Sequence, residues 1–243
     1  MTSNNWYNYS APYFDWSDAE AVGGASDTAT GSGVTGYYIY FGTTAGADPV
    51  EDGTFSTDSH YQASALTNGE TYYLRIKTKD DANNVSPVVW QPYIYKYDNV
   101  KPSNPSTLIS DPPGYTATNS FTFSWSGATD AGSGVSGYCY KTGEVGFTEV
   151  CTTETSITDI SAYRTGVNTF YVRTIDNAGN YSNDYVTASY YYSSTAPSAP
   201  QNLVANPTSN TDNEFSFTWS PPSLYYGAQL GLRYYYSVNA FPT

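Results

Sequence analysis

Phe121-Thr122-Phe123-Ser124-Trp125 sets three large rings on alternate residues. In an extended strand successive side chains point to opposite sides of the pleat, so all three rings share one face. The Phe-x-Trp half of this pattern occurs also at Phe14/Trp16 and Phe217/Trp219. Two more stretches repeat around it. Ser32-Gly33-Val34-Thr35-Gly36-Tyr37 returns as Ser133-Gly134-Val135-Ser136-Gly137-Tyr138, and Tyr73-Leu74-Arg75 returns as Tyr171-Val172-Arg173. Equivalent residues lie about a hundred positions apart, a domain-sized period rather than that of a solenoid. We expect an all-β chain of three units, at residues 1–98, 99–195 and 196–243. The third is expected to be incomplete, with three strands, the last around 234–238. Each repeated Trp is expected to be buried on the second strand of its unit.

Composition supports a β-rich, surface-exposed protein. The 243 residues suffice for two cores of about 100 residues each. The 27 tyrosines and the frequent Thr favour strands, while Gly, Asn and Ser supply turns. Asp and Glu outnumber Lys and Arg 22 to 9, with no basic cluster. Such a chain is repelled by phosphate, which argues against nucleic acid and anionic membrane surfaces as partners. No apolar run approaches the roughly 18–20 residues that a membrane helix needs, so no membrane insertion by this segment is expected. Met1-Thr2-Ser3 opens on no basic-plus-apolar signal. The expectation is a piece of a longer protein.

A family resemblance follows from further motifs. Leu66-Thr67-Asn68-Gly69-Glu70-Thr71-Tyr72 resembles the turn and tyrosine corner before strand F of fibronectin type III domains. Ala199-Pro200-Gln201-Asn202-Leu203-Val204-Ala205, followed by Phe217-Thr218-Trp219-Ser220-Pro221-Pro222, resembles strands A and B of that family. Asp176-Asn177-Ala178-Gly179-Asn180-Tyr181-Ser182 is similar to the tail of bacterial immunoglobulin-like repeats common in secreted and cell-surface proteins. The resemblance implies tandem immunoglobulin/fibronectin-III-like β-sandwiches. Two departures stand out. Phe170 occupies the place of Tyr72 and lacks the hydroxyl of a tyrosine corner. The first unit also carries about eight extra residues between Trp16 and Gly33, including Gly23-Gly24.

Several residues invite chemical readings. Gly31-Ser32-Gly33-Val34-Thr35-Gly36 and Gly132-Ser133-Gly134-Val135-Ser136-Gly137 both fit G-x-G-x-x-G, but each runs into a strand instead of a helix. No dinucleotide site is expected; the glycines read as turn residues needing positive φ. His60 is the only histidine and reads as an exposed surface residue. No acid pair sits in a hydrolase-like context, so no catalytic residue and no organic cofactor is assigned, and the chain is read as a non-enzyme. Cys139 and Cys151 flank a turn at Thr142-Gly143-Glu144 and are expected to form a disulfide between neighbouring strands. The many tyrosines are read mainly as strand-filling residues, with stacking on surface glycans as the alternative use.

The loop acids carry the most specific expectation. In the implied sandwich the B–C and F–G loops lie at one end, where the linker from the preceding unit should also arrive. Asp98 stands in that linker, Asp130 in the B–C loop and Asp176 at the start of the F–G loop. These three are a candidate calcium site, helped by Asn177 or backbone carbonyls. Asp27 and Asp80 form the corresponding second candidate in the first unit. The opposing reading is a set of solvated, turn-capping acids. The function expected is that of a non-catalytic structural or adhesive stalk segment of a large bacterial extracellular or cell-surface protein, part of an assembled surface structure in one version. Its partners would be neighbouring modules, other protein subunits or surface glycans. The alternative is an accessory, glycan-contacting array of a secreted polysaccharide-degrading enzyme.

Overall fold

A computed structural model of the chain describes residues 1–16, 31–143, 148–209, 211, 214–222 and 233–237. The first sandwich is built from β1 (Asn5–Tyr7), β2 (Tyr13–Asp15), β3 (Val34–Gly42), β4 (Thr54–Ser56), β5 (His60–Gln62), β6 (Thr71–Asp80) and β7 (Trp90–Tyr97). One four-residue helical turn, α1 (Pro49–Asp52), lies between β3 and β4 and is capped by the Asp48 side chain. The second sandwich contains β8 (Thr107–Asp111), β9 (Tyr115–Thr116), β10 (Phe121–Ser126), β11 (Val135–Thr142), β12 (Val150–Thr152), β13 (Ser156–Ile160), β14 (Gly166–Asp176) and β15 (Val186–Tyr192). A third unit contributes β16 (Gln201–Asn206) and β17 (Ser216–Ser220).

The two sandwiches share a topology. Their larger sheets run β1-β7-β6-β3-β4 and β9-β15-β14-β11-β12, equivalent strand for strand. Each opens with a short strand paired in parallel with the last one, β1 on β7 and β9 on β15. The smaller sheets differ: β8-β10-β13 in the second sandwich, but only β2-β5 in the first. No described sheet spans two units.

Aromatic packing joins the sheets. Phe121, Phe123 and Trp125 are all buried, and Phe123 stacks on Phe170 with centroids 3.9 Å apart. Tyr190 meets Phe121 and Phe123 edge-on. In the first sandwich Phe14, Trp16, Tyr72 and Tyr95 belong to the corresponding buried cluster. The tyrosines on these inward faces are therefore core residues, as period two requires. Trp16 and Trp125 are buried as expected, but Trp219 is only half-buried, its ring against Tyr234. The described third unit has no second sheet to cover it. Residues 233–237, where a third strand was expected, are irregular, and Val238 lies outside the described residues.

The tyrosine corner of the first sandwich is formed. Tyr72 Oη accepts from Thr67 N at 2.8 Å and donates to Thr67 O at 3.3 Å. In the second sandwich Phe170 packs wholly into the core, and Asn168, two residues earlier, takes over the tie. Its amide donates to Arg164 O and Gly166 O, and its Oδ1 accepts from Arg164 N. Cys139 and Cys151 are bonded, directly opposite each other on β11 and β12.

Candidate functional site: the acidic joint between the first two sandwiches

Asp98 is the first residue after β7, and its N–H donates to Tyr7 O at 3.0 Å. The side chain leaves the first sandwich and enters the B–C loop of the second. There Oδ2 accepts from Ser133 N at 2.7 Å, while Oδ1 accepts from Val100 N in its own linker at 3.0 Å. Asp98 is 0% exposed. Burial alone would raise its pKa, but the donors from Ser133, Val100 and Asn68 outweigh that and hold it below the ordinary aspartate value.

The loop is shaped to receive this carboxylate. A Cβ on Gly132 would lie 2.3 Å from Asp98 Oδ2, so only glycine permits the approach. Gly134 has φ +84° and Gly33 has φ +92°, the left-handed conformation that the G-x-G-x-x-G reading required of turn glycines. The third glycines have a different reason. Gly36 and Gly137 sit inside strands, where a Cβ would meet Ser56 O or Thr152 O of the neighbouring strand at 2.5–2.6 Å.

Asp130 and Asp176 arrive from two other directions. Asp130 Oδ2 accepts from Gly132 N and Gly134 N, at 3.1 and 2.7 Å. Its Oδ1 is buried and has no hydrogen-bond donor among the described residues. Asp176, 2% exposed, accepts from both Asn180 N and Asn180 Nδ2 at 2.8 Å. One carboxylate oxygen from each of Asp98, Asp130 and Asp176 lies within 4.8 Å of the others. Three anionic groups so close repel one another in a partly dry setting, and each keeps oxygen lone pairs of the kind a hard cation takes. The donor set, all carboxylate oxygen, suits calcium better than a softer metal.

Two residues differ from their expected parts. Asn177 Nδ2 donates to Ser133 O and Gly134 O, closing the F–G loop on the B–C loop. Asn180, which the sequence reading passed over, is the connector. Its Nδ2 reaches Asp98 O at 3.0 Å and Val100 O at 3.4 Å as well as Asp176. The signal was present: Asp80 and Asn84 in the first unit have the same spacing as Asp176 and Asn180. Asn84 N and Nδ2 clip Asp80 at 2.7 and 2.8 Å in the same way. The Asn84 donors hold Asp80 below its ordinary pKa. Asp27, its expected companion, lies outside the described residues. Asp81 instead hydrogen-bonds Thr35 Oγ1.

The linker is tied elsewhere too. Lys101 Nζ donates to Asn183 Oδ1 at 2.8 Å, and Ser103 N to Thr129 O at 2.8 Å. Ser182 Oγ donates to Asn104 Oδ1 at 2.6 Å. Pro102 and Pro105 are buried. His60 is exposed, its ring 5.5 Å from Tyr13. No described helix is long and apolar enough to cross a membrane.

No known family profile matches the chain. Over 166 residues, 65% of its length, it is 31% identical to Exoglucanase B of Cellulomonas fimi, of which this covers 14%. Over 155 residues, 62% of its length, it is 34% identical to Chitinase A1 of Niallia circulans, of which this covers 20%. The chain thus spans a fifth or less of these curated relatives. Among solved structures, the FN1–FN3 domains of chicken CNTN1 align over 79% of this chain and 66% of that one, at 12% identity and TM-score 0.43.

Proposed function

We propose that the chain is a non-catalytic spacer segment of a longer extracellular protein, built to hold one sandwich in a fixed attitude to the next. The observation that carries this is the fully buried Asp98, a residue of the linker whose carboxylate is received by the B–C loop of the second sandwich. A flexible tether does not bury a charge, because desolvation is costly unless the partners are held in place. Asp98, Ser133, Asp176 and Asn180 make the joint part of the second sandwich's own loop structure. A calcium ion at Asp98, Asp130 and Asp176 belongs to the proposal: it would offset the mutual repulsion and engage the orphaned Asp130 Oδ1.

Thermal melts in EDTA and in millimolar calcium test the cation, with Asp130→Ala as control. Calcium should raise the melting temperature of the parent chain and leave the variant unmoved; superimposed curves would remove the ion from the proposal. The spacer itself is tested by NMR relaxation. The two sandwiches should tumble as one body, and independent tumbling would refute it.

Similarity to an exoglucanase and a chitinase favours a second reading, in which the spacer is an accessory part of a secreted polysaccharide-degrading enzyme. The stalk or adhesive reading shares the same physics and differs in what lies at the ends. Pull-down of the chain on insoluble cellulose and chitin separates them, since retention would favour glycan contact and a clean flow-through the plain spacer.

A further inference from the structure

We propose that the outer face of the larger sheet of the second sandwich carries a linear strip that binds a neutral, unbranched, β-linked polysaccharide. The inference rests on the second reading above and gives it a place in the fold. On β14 and β15 the core takes Phe170, Val172, Ala188 and Tyr190, so the residues between them point outward. Cross-strand register arranges those residues in tiers. At one end Tyr191 pairs with Val167 and, on its other side, with Tyr115 of β9. The two tyrosine rings lie 5.1 Å apart, and Tyr115 and Val167 are 42% and 45% exposed. In the middle Thr169 pairs with Ser189, one hydroxyl on each strand. At the other end Tyr171 pairs with Thr187 and stands edge-on to Tyr185, with centroids 5.9 Å apart. Val167 and Tyr171, which mark the two ends, are separated by about 13 Å of extended strand.

A polysaccharide of this class presents C–H faces that stack on aromatic rings and hydroxyls that hydrogen-bond along its edges. Tyrosines a few sugar units apart, with hydroxyls between them, match such a chain laid along the strands. Tyr also gives a large contact at little cost in side-chain entropy. Charge narrows the occupant. Arg173 holds Glu149 by two hydrogen bonds, at 2.7 and 2.5 Å, and Tyr185 Oη donates to the same carboxylate at 2.9 Å. Lys141 Nζ lies 4.3 Å from the centre of the Tyr185 ring. The Arg173–Glu149 pair cancels, leaving one cation here in a chain of net charge −13. A polyanion is repelled by that chain, whereas a neutral hydroxylated polymer is not. The first sandwich differs at the equivalent tier. Trp6 stands for Tyr115, but Lys96, 5.9 Å from the Trp6 ring, stands for Tyr191. The paired tyrosines therefore locate the strip in the second sandwich.

The test uses the whole chain, with cellulose and chitin as insoluble polymers and soluble oligosaccharides of each as titrants. The parent should be retained on one of the polymers. Tyr115→Ala combined with Tyr191→Ala should weaken that binding by about tenfold or more. Tyr9→Ala, which removes a 58% exposed ring from the first sandwich, should leave it unchanged. Titration of the parent with the matching oligosaccharide should shift the NMR signals of the Val167, Thr169 and Ser189 amides. That arm does not depend on the folding of a variant. Retention with these amides unshifted and the double variant unweakened overturns the strip and leaves the second reading standing. No retention of the parent on either polymer removes both. A sedimentation mass that rises with concentration in the parent but not in the double variant also overturns the proposal, because a second copy would then occupy the strip.

Discussion

Gly132→Ala places one methyl group where the joint has no room. The new Cβ would lie 2.3 Å from Asp98 Oδ2, 2.5 Å from Cγ and 2.6 Å from Oδ1. Two escapes exist. The loop can move aside, an overpacking strain of about 1–3 kcal/mol. Alternatively Asp98 can swing out and release Ser133 N, a hydrogen bond to a charged group that is worth about 1.5–3 kcal/mol. The cheaper route wins, so the expected cost is about 1–3 kcal/mol, localised at the joint. Gly132 is not at positive φ, unlike Gly134, so backbone strain adds nothing. Hydrogen exchange reads the site directly. Protection of the Ser133 amide should fall by about 10–100-fold, taking about 1.4 kcal/mol per factor of ten. Amides in the centres of β11 and β14 should keep theirs. Unchanged protection at Ser133 would refute the argument that the Asp98 carboxylate fills the space over Gly132.

Trp125→Ala removes a ring that is 3% exposed between Tyr138 and Phe170, and should cost about 3–5 kcal/mol by chemical denaturation. A loss below about 1 kcal/mol would mean that the core closes around the gap. Reducing Cys139–Cys151 reopens a short loop and should destabilise the second sandwich by about 3 kcal/mol, leaving the first unchanged in domain-resolved melts. Asp98 and Glu149 both have folded pKa values below their ordinary ones; burial opposes this in each, and the Ser133 donors and the Arg173 guanidinium respectively outweigh it. A depressed carboxylate stabilises the fold above its unfolded pKa and loses that contribution as pH falls through the folded value. The melting temperature should accordingly fall below about pH 4.5. Asp98→Asn should flatten part of that fall, and parallel curves for parent and variant would remove Asp98 from the account.

The sequence revealed what depends on periodicity and on loop position. Alternating rings at 121, 123 and 125 placed the core, and the repeat placed Asp98, Asp130 and Asp176 at one end of one sandwich. Tyr72 could be read because a tyrosine corner needs one hydroxyl at one place. Asn168 could not, because a substitute tie two residues earlier leaves no periodic trace. Asn180 was legible through the repeat alone: its spacing to Asp176 is that of Asn84 to Asp80, while Asn177, an amide in the same loop, drew the reading instead. Trp219 shows the limit of local pattern. Alternation chooses a face, but burial needs a second sheet, and the described third unit has none.

The parallel pairing of an early strand with the last has a consequence under tension. Because β1 runs parallel to β7, and β9 to β15, pulling a sandwich by its two ends drags these strands along each other in shear. The hydrogen bonds between them are then loaded together, whereas an antiparallel terminal pair would unzip one bond at a time. Each sandwich should therefore yield at a single high force. The second has a further limit built in: Cys139–Cys151 ties β11 to β12, so the segment between them stays folded away after rupture. Its extension step should be shorter by about 40 Å, at roughly 3.3–3.6 Å per residue, until the bond is reduced.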